Sequence, residues 1–182
     1  ERADALGLEP MARQNTAPLG TAFTVSIDLA DGGGIGSQGR VATMRHALKA
    51  EAHRDDFVSP GHVFPLRARP GGVLVRSGQT EGSVDLARLA GLEPAGVICE
   101  IMRGDGTMAR LTELLAFGAE HDIKVVTVAD LIRYRLQNER LVKCVGAARL
   151  PTEFGEFTLR CFENILSGQV HLALTMGEFH ED

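Results

Sequence analysis

The stretch Gly72–Gly91, GVLVRSGQTEGSVDLARLAG, decides the fold because it joins a strand, a turn and a helix in one short segment. The apolar residues of Gly72–Arg76 predict a short strand. Thr80 is a favoured N-cap residue for a helix over Glu81–Ala90, and Gly91 is a typical residue at which a helix ends. A strand that passes directly into a helix predicts an α/β unit.

The same alternation continues towards the C-terminus. Val97–Met102 (VICEIM) and Ile123–Val128 (IKVVTV) are continuous apolar runs of strand length. Helical patterns follow them over Leu111–Glu120 and Ala129–Gln137. Strands that are apolar on both faces indicate a sheet covered by helices on both sides, so the expected fold class is α/β.

Towards the N-terminus, Phe23–Ile27 alternates apolar and polar residues, which predicts a half-buried strand. Asp31–Gly36 (DGGGIG) interrupts regular structure, and Arg40–Ala50 has one apolar face and predicts a helix. Ser59–Leu66 is rich in turn residues and is expected to form a loop.

A change of pattern near residue 149 predicts a domain boundary. Glu156–Phe162 and Val170–Thr175 alternate like strands and flank a turn at Ser167-Gly168, which predicts a β-hairpin. We therefore expect one domain over residues 1–148 and a linker with the start of another over 149–182. Some thirty residues are too few for a core of their own.

Composition excludes several classes of protein. The chain has 182 residues, of which 44% are hydrophobic, and a formal net charge of −5. It has no Trp, one Tyr and no basic stripe, which argues against a nucleic-acid partner. No apolar run is long enough to predict a membrane span. Its three cysteines, widely spaced, form neither a disulfide framework nor a zinc motif.

The turn Arg76–Thr80 is a candidate anion site. Backbone N–H groups at a helix start, a glycine that allows close approach, a hydroxyl and a guanidinium together suit a phosphate. Glu81 suits the helix dipole but weakens the local positive field. The alternative interpretation is a capped turn whose Arg76 faces solvent.

Two titratable residues are candidates for proton transfer. Glu100 interrupts an apolar strand, so it needs a partner or lies at a strand end facing a cleft. The alternative is a strand-end carboxylate in water. His62 follows a glycine in a loop stiffened by nearby prolines, which suits a general acid, a general base or a metal ligand. The alternative is a structural histidine.

Seven segments, taken in order, carry a more specific pattern. They are Asn15–Asp28, Pro60–Ala68, Gly71–Arg76, Thr80-Glu81, Val84–Gly91, Val97–Met102 and Asp105–Arg110. In combination they resemble the 3,4-dihydroxy-2-butanone 4-phosphate synthase family over roughly residues 1–145. Residues 149–182, beginning with Arg149–Phe157, resemble the opening of GTP cyclohydrolase II, to which this synthase is often fused. The segment ends before that family's cysteine cluster, so we expect no zinc-dependent cyclohydrolase within it.

The resemblance implies a layered α/β sandwich with a mixed sheet covered by helices. It also implies a cytoplasmic, magnesium-dependent lyase of riboflavin biosynthesis with its active site at a homodimer interface. Such a lyase converts ribulose 5-phosphate into 3,4-dihydroxy-2-butanone 4-phosphate and formate. By position, His62 and Glu100 match the family's proton-transfer residues, and Glu100 also contacts substrate. Arg76, Ser77, Gly78 and Thr80 match the substrate loop, with Arg76 and Thr80 suited to the phosphate.

Three departures from the family pattern bear on activity. Gln79 occupies the position of a metal-binding histidine, and its neutral carbonyl oxygen is expected to hold magnesium or manganese less well. The loop Gly32–Gly39 has glycines where the family has hydroxyls and an aspartate, leaving Arg40 as the polar element. The family's acidic metal-binding loop is expected upstream of residue 1.

Two functions therefore remain open. The first is the lyase activity. The second is a non-catalytic synthase-like domain that serves as a dimerisation or regulatory scaffold for a fused GTP cyclohydrolase II. Gln79 and the glycine loop favour the second function, whereas the first is favoured by His62, Glu100, Arg76 and Thr80. We expect this segment alone, given ribulose 5-phosphate and magnesium, to release little formate.

Overall fold

The computed structural model describes residues 2–177, and the chain divides into two compact units, Glu1–Val128 and Ala129–Asp182. Helices and strands are both present in it, which confirms the α/β class. The first unit contains helices α1 (Arg2–Ala5), α2 (Ser37–Ala47), α3 (Gln79–Leu89) and α4 (Leu111–Glu120), strands β1 (Ile27–Leu29) and β2 (Phe57–Val63), and 3-10 helices over Arg54–Asp56 and Gly72–Leu74.

Strands β1 and β2 pair antiparallel beside the core of the first unit. The core side chains are apolar and almost fully buried: Leu6, Leu8, Ile27, Ala52 and Phe57. Helix α2 is joined to β1 because the Thr43 hydroxyl accepts the Leu29 N–H at 2.9 Å. The predicted helix over Arg40–Ala50 is therefore present, but it begins three residues earlier.

The predicted strand over Gly72–Arg76 is wrong, because a 3-10 helix occupies Gly72–Leu74. The backbone enters this turn through positive φ angles of 89° at Gly71 and 61° at Gly72, which extended strands do not adopt. The buried Asp85 carboxylate of α3 then accepts the Val73 N–H at 2.9 Å and fixes the turn against the helix.

The predicted cap of α3 is also wrong, since Gly78 rather than Thr80 is the N-cap residue. Gly78 has the extended conformation of a cap, whereas Thr80 already lies within the helix and is 9% exposed. By contrast, the predicted bounds of α4 agree with the structure.

Two predicted strands, Val97–Met102 and Ile123–Val128, are not strands in the part of the chain that the structure describes. Met102 makes a single isolated bridge to Met108. An apolar run becomes a strand only when another segment accepts its hydrogen bonds, and residues 2–177 supply no such partner. Conversely, the first five residues of the expected loop Ser59–Leu66 belong to strand β2.

The second unit contains most of α5 (Val128–Asn138), followed by β3 (Val142–Thr152), β4 (Gly155–Asn164) and β5 (Val170–Thr175). The three strands form an antiparallel sheet in the order β3-β4-β5. The predicted hairpin is thus confirmed as β4 and β5, and β3 was not expected. The domain boundary after residue 148 remains a prediction.

No helix within residues 2–177 has the length and apolar character needed to cross a membrane. All three cysteines are free thiols.

Candidate functional site

A bulge in strand β2 positions His62. Ile27 pairs with Val63 and the next residue, Asp28, pairs with Val58, so residues 59–62 project out of the ladder. Bulges of this kind redirect side chains next to functional sites. Here the bulge brings His62 to Asp28 of the neighbouring strand.

Two hydrogen bonds join the bulge to Ser26, the residue before strand β1. The Ser59 hydroxyl donates to the Ser26 carbonyl at 2.7 Å, and the Gly61 N–H donates to the Ser26 hydroxyl at 3.1 Å. A Cβ atom at Gly61 would lie 2.0 Å from the carbonyl carbon of Ile27. Only glycine therefore permits this approach of the two backbones.

Asp28 holds His62 through two hydrogen bonds. Its Oδ1 accepts the His62 backbone N–H at 3.0 Å, and its Oδ2 lies 2.6 Å from Nδ1 of the ring. The pKa of the Asp28 carboxyl lies below its usual value of 3.8, mainly because the carboxylate accepts the His62 backbone N–H. Burial raises this pKa, whereas the His62 ring and the Gly34 N–H lower it further. Gly34 thus connects the glycine-rich loop to this pair. Arg40, which follows this loop, lies in helix α2 and is exposed.

An ionised carboxylate accepts hydrogen bonds and cannot donate them. A neutral His62 must then donate through Nδ1–H, which leaves the lone pair on Nε2. Asp28 is 7% exposed, whereas the His62 side chain is 47% exposed. The pair therefore presents a half-exposed, oriented imidazole whose Nε2 is available as a base.

Arg76 is held from three sides. Its Nη1 donates to Glu81 Oε2, its Nε to the Leu19 carbonyl at 3.0 Å, and its Nη2 to the Thr21 hydroxyl at 3.2 Å. Glu81 is 1% exposed, and its other oxygen accepts the Arg69 N–H at 3.0 Å. A guanidinium has five N–H groups, and within residues 2–177 three of those on Arg76 have an acceptor, which leaves two for a ligand.

The start of α3 adds backbone donors beside Arg76. The first hydrogen bond of helix α3 runs from the Gly82 N–H to the Gly78 carbonyl. The N–H groups of Gln79, Thr80 and Glu81 come before it in the chain and therefore have no acceptor within the helix. Such groups attract anions. The Ser77 side chain is exposed beside them. Arg76 neutralises the charge of Glu81. The carboxylate therefore does not cancel the positive electrostatic field of the backbone N–H groups at the start of α3.

The predicted strand around Glu100 is absent from the described residues. Glu100 lies outside any described strand, and its side chain is exposed. Among the described residues, no hydrogen bond or ion pair joins its side chain to His62 or Arg76. That Glu100 and His62 lie in the same cavity as the turn holding Arg76 and Thr80 is a prediction from the sequence.

The residues at the α3 turn do not fit a magnesium site by themselves. Gln79 is exposed and offers one neutral carbonyl oxygen, and both oxygens of the neighbouring Glu81 accept protein hydrogen bonds. Within residues 2–177, no group of three His, Cys, Asp or Glu side chains is arranged to hold a metal ion. Magnesium favours several oxygen ligands, including carboxylates.

Sequence reasoning missed the roles of Asp28 and Glu81. Asp28 directly follows the alternating apolar and polar residues of Phe23–Ile27. A charged residue at this position only weakly indicates a buried contact. The sequence position of Glu81 indicates only a contact with the helix dipole, but Glu81 lies five residues after Arg76 and the two side chains meet across Gly78.

Comparison with known families gives two matches along the chain. Residues 1–134 match the family described as 3,4-dihydroxy-2-butanone 4-phosphate synthase, and residues 143–181 match the family described as GTP cyclohydrolase II.

Curated relatives agree with these matches. The riboflavin biosynthesis protein RibBA of Aquifex aeolicus is 54% identical over 186 residues, covering 100% of this chain and 46% of the relative. A 3,4-dihydroxy-2-butanone 4-phosphate synthase of Pseudomonas aeruginosa is 51% identical, covering 98% of this chain and 49% of the relative. The chain thus spans about half the length of these relatives.

Solved structures agree as well. RibBX, a two-domain 3,4-dihydroxy-2-butanone 4-phosphate synthase from A. baumannii, matches with a TM-score of 0.81 and 45% identity, covering 97% of this chain and 53% of that one. A 3,4-dihydroxy-2-butanone 4-phosphate synthase solved in complex with two magnesium ions matches with a TM-score of 0.67 and 36% identity, covering 75% of this chain and 70% of that one.

Proposed function

Because the chain belongs to the 3,4-dihydroxy-2-butanone 4-phosphate synthase family, we propose that the protein carrying it is a lyase of riboflavin biosynthesis. Its substrate is ribulose 5-phosphate, and its products are 3,4-dihydroxy-2-butanone 4-phosphate and formate. The observation that carries this proposal is the half-exposed imidazole of His62, which Asp28 orients through Nδ1.

In the proposed reaction, His62 Nε2 accepts a proton from a substrate carbon beside the carbonyl group. The electron pair of the broken C–H bond enters the enediolate, and the imidazolium that forms lies against the Asp28 carboxylate. General acid–base catalysis of this kind contributes about 100-fold to 10,000-fold. Glu100 is the proposed second proton-transfer residue and substrate contact, by its position in the family pattern.

The phosphate group of the substrate is proposed to bind at the α3 turn. Its oxygens accept hydrogen bonds from the free N–H groups of Arg76 and from the backbone of Gln79 and Thr80. The exposed Ser77 hydroxyl adds a further donor, and Gly78 leaves room for the phosphate to approach the backbone. This assignment is supported by the three contacts that fix Arg76 before any ligand arrives.

Magnesium dependence is proposed for the whole protein, since a related synthase was solved with two magnesium ions. Gln79 alone does not provide a magnesium site, so additional carboxylate ligands are required.

We also propose that the protein forms a homodimer and is located in the cytoplasm. We assign residues 1–148 to the synthase-like domain, and residues 149–182 to a linker and the start of a GTP cyclohydrolase II-like domain.

The position of Gln79 favours a second candidate function. A neutral amide where the family pattern has an imidazole weakens the metal site, so the domain would serve as a dimerisation or regulatory scaffold for a fused GTP cyclohydrolase II. The match of residues 143–181 to that family is compatible with this function.

Formate release by the full-length protein separates the two functions. With ribulose 5-phosphate and magnesium, the wild type should release formate, and His62→Ala should reduce its turnover at least about 100-fold. His46→Ala is the matched control, because His46 also pairs with an aspartate, Asp56, but lies on helix α2. Absence of formate from a folded wild-type protein would favour the scaffold.

A further inference from the structure

The contact between Asp28 and His62 supports a further inference, and this inference rests on the proposed function. We infer that Asp28 is a positioning residue, which fixes the Nδ1–H tautomer of His62 and so makes Nε2 the reacting atom. Asp28 does not touch the substrate in this account, because its side chain is buried beneath the bulge of strand β2.

The geometry of the carboxylate supports this role. Both of its oxygens are directed at the same residue, one at the backbone N–H and one at ring Nδ1 of His62. A rotation of the ring would break the second bond while the first still held the backbone. The ring is therefore fixed in both tautomer and orientation, as a general base requires.

The surroundings of Asp28 keep its carboxylate ionised. Nearby hydrogen-bond donors, led by the His62 backbone N–H and including Gly34, hold the pKa of the carboxyl below its usual value. A permanent negative charge favours the imidazolium formed when Nε2 takes the substrate proton. No described group hydrogen-bonds to Nε2, so a substrate does not have to displace a protein partner there.

The tautomer can be measured without any turnover. Two-bond proton–nitrogen NMR on ¹⁵N-histidine-labelled full-length protein, at about pH 8.5 where an ordinary imidazole is neutral, reports which ring nitrogen of His62 carries the proton. We expect Nδ1–H in the wild type and an increased share of Nε2–H in Asp28→Asn, because an amide no longer requires a donor at Nδ1. A wild-type ring protonated at Nε2 would overturn the inference, even if no variant folds.

Kinetics provide the second readout. Asp28→Asn should lower kcat about 100-fold to 1,000-fold with KM changed less than about threefold, since the phosphate contacts are untouched. Asp28→Glu keeps a carboxylate and should recover part of the loss. Asp56→Asn is the matched control, because Asp56 also accepts a backbone N–H and a histidine ring nitrogen, those of His53 and His46. It should leave both kcat and the His62 tautomer unchanged.

The two proposals fail in different ways. If the wild type releases no formate, the lyase function fails, and the tautomer spectrum still decides the role of Asp28. If His62→Ala abolishes turnover while Asp28→Asn keeps kcat within threefold, the lyase function stands and the positioning role of Asp28 is refuted.

Discussion

The carboxylate of Glu81 accepts a hydrogen bond from the guanidinium of Arg76, and Glu81 is only 1% exposed. A buried carboxylate without a partner is strongly unfavourable. Arg76 therefore stabilises the turn before any ligand binds. Arg76 is also the residue that we propose binds the substrate phosphate, so fold stability and the proposed phosphate binding depend on the same side chain.

Removing Arg76 should destabilise the protein strongly. Arg76→Ala leaves the Glu81 carboxylate buried without its cation, and we expect a loss of about 3–5 kcal/mol in the free energy of unfolding. Arg133→Ala is the control, because Arg133 pairs with Asp130 at a site where its side chain is 67% exposed; it should cost less than about 0.5 kcal/mol. Urea unfolding followed by circular dichroism measures both. Equal losses would contradict a structural role for the Arg76–Glu81 pair.

Gly78 provides the space that this ion pair occupies. A Cβ atom at Gly78 would lie 2.3 Å from Arg76 Nη1 and 2.8 Å from Glu81 Oε2, so Gly78→Ala must displace the guanidinium. We expect a loss of about 1–3 kcal/mol in unfolding free energy.

Gly36→Ala is the matched control for Gly78→Ala. Gly36 is the N-cap residue of α2, as Gly78 is of α3, but a Cβ atom there would meet nothing within 4 Å. Both variants replace a cap glycine with alanine, and only the Gly78 variant adds a steric clash. The unfolding temperatures of the two variants test this difference. If Gly78→Ala and Gly36→Ala lower the unfolding midpoint equally, the clash at Gly78 is relieved without a loss of stability.

Gly61 should not tolerate a side chain. A Cβ atom there would overlap backbone atoms of Ile27 and Asp28, which cannot rotate away as a side chain can. We expect Gly61→Ala to cost about 3 kcal/mol, whereas Gly104→Ala, in open space, should stay within about 0.5 kcal/mol. Denaturant midpoints test this pair of variants. A fully stable Gly61→Ala would mean that the bulge does not lie against strand β1.

Acid should destabilise the first unit in part through Asp56. The backbone N–H of His53, followed by the ring of His46, holds the pKa of the Asp56 carboxyl below 3.8 in the folded chain. A lowered folded pKa contributes stability that is present above the unfolded pKa and is lost as pH falls through the folded value. Between about pH 5 and pH 3, Asp56→Asn should therefore lose less stability than the wild type. Parallel losses over this range, measured by urea unfolding at each pH, would refute the shift.

Gln79→His should strengthen metal binding in the full-length protein. An imidazole replaces a neutral amide at the exposed first residue of α3. We expect half-maximal formate release at a metal concentration at least about tenfold lower, since even indirect partners of a metal ligand change affinity 10-fold to 100-fold. Titration with Mg²⁺ and Mn²⁺ measures the effect. An unchanged titration curve would mean that residue 79 does not approach the metal.

Local sequence patterns predicted the features that local interactions determine. The helix Leu111–Glu120 follows from its periodic apolar residues, and its bounds agree with the structure. The C-terminal hairpin follows from alternation around a turn. The turn at Arg76 follows from the residue types that begin a helix.

Contacts between distant residues could not be predicted in this way. Val97–Met102 has the composition of a strand, but a strand also requires a neighbour, and the apolar run contains no information about one. The 3-10 helix over Gly72–Leu74 depends on Asp85, which is 12 residues from Val73. The Asp28–His62 contact joins residues 34 positions apart through an unexpected bulge.

The central claim is that the protein carrying this chain converts ribulose 5-phosphate through a reaction that uses His62. The most direct measurement is one-dimensional proton NMR of the full-length protein with ribulose 5-phosphate and magnesium. We expect formate and 3,4-dihydroxy-2-butanone 4-phosphate to appear in equal amounts with the wild type, and both to appear at least about 100-fold more slowly with His62→Ala. A folded wild type that leaves the substrate unchanged, or an equally active His62→Ala, would contradict the claim.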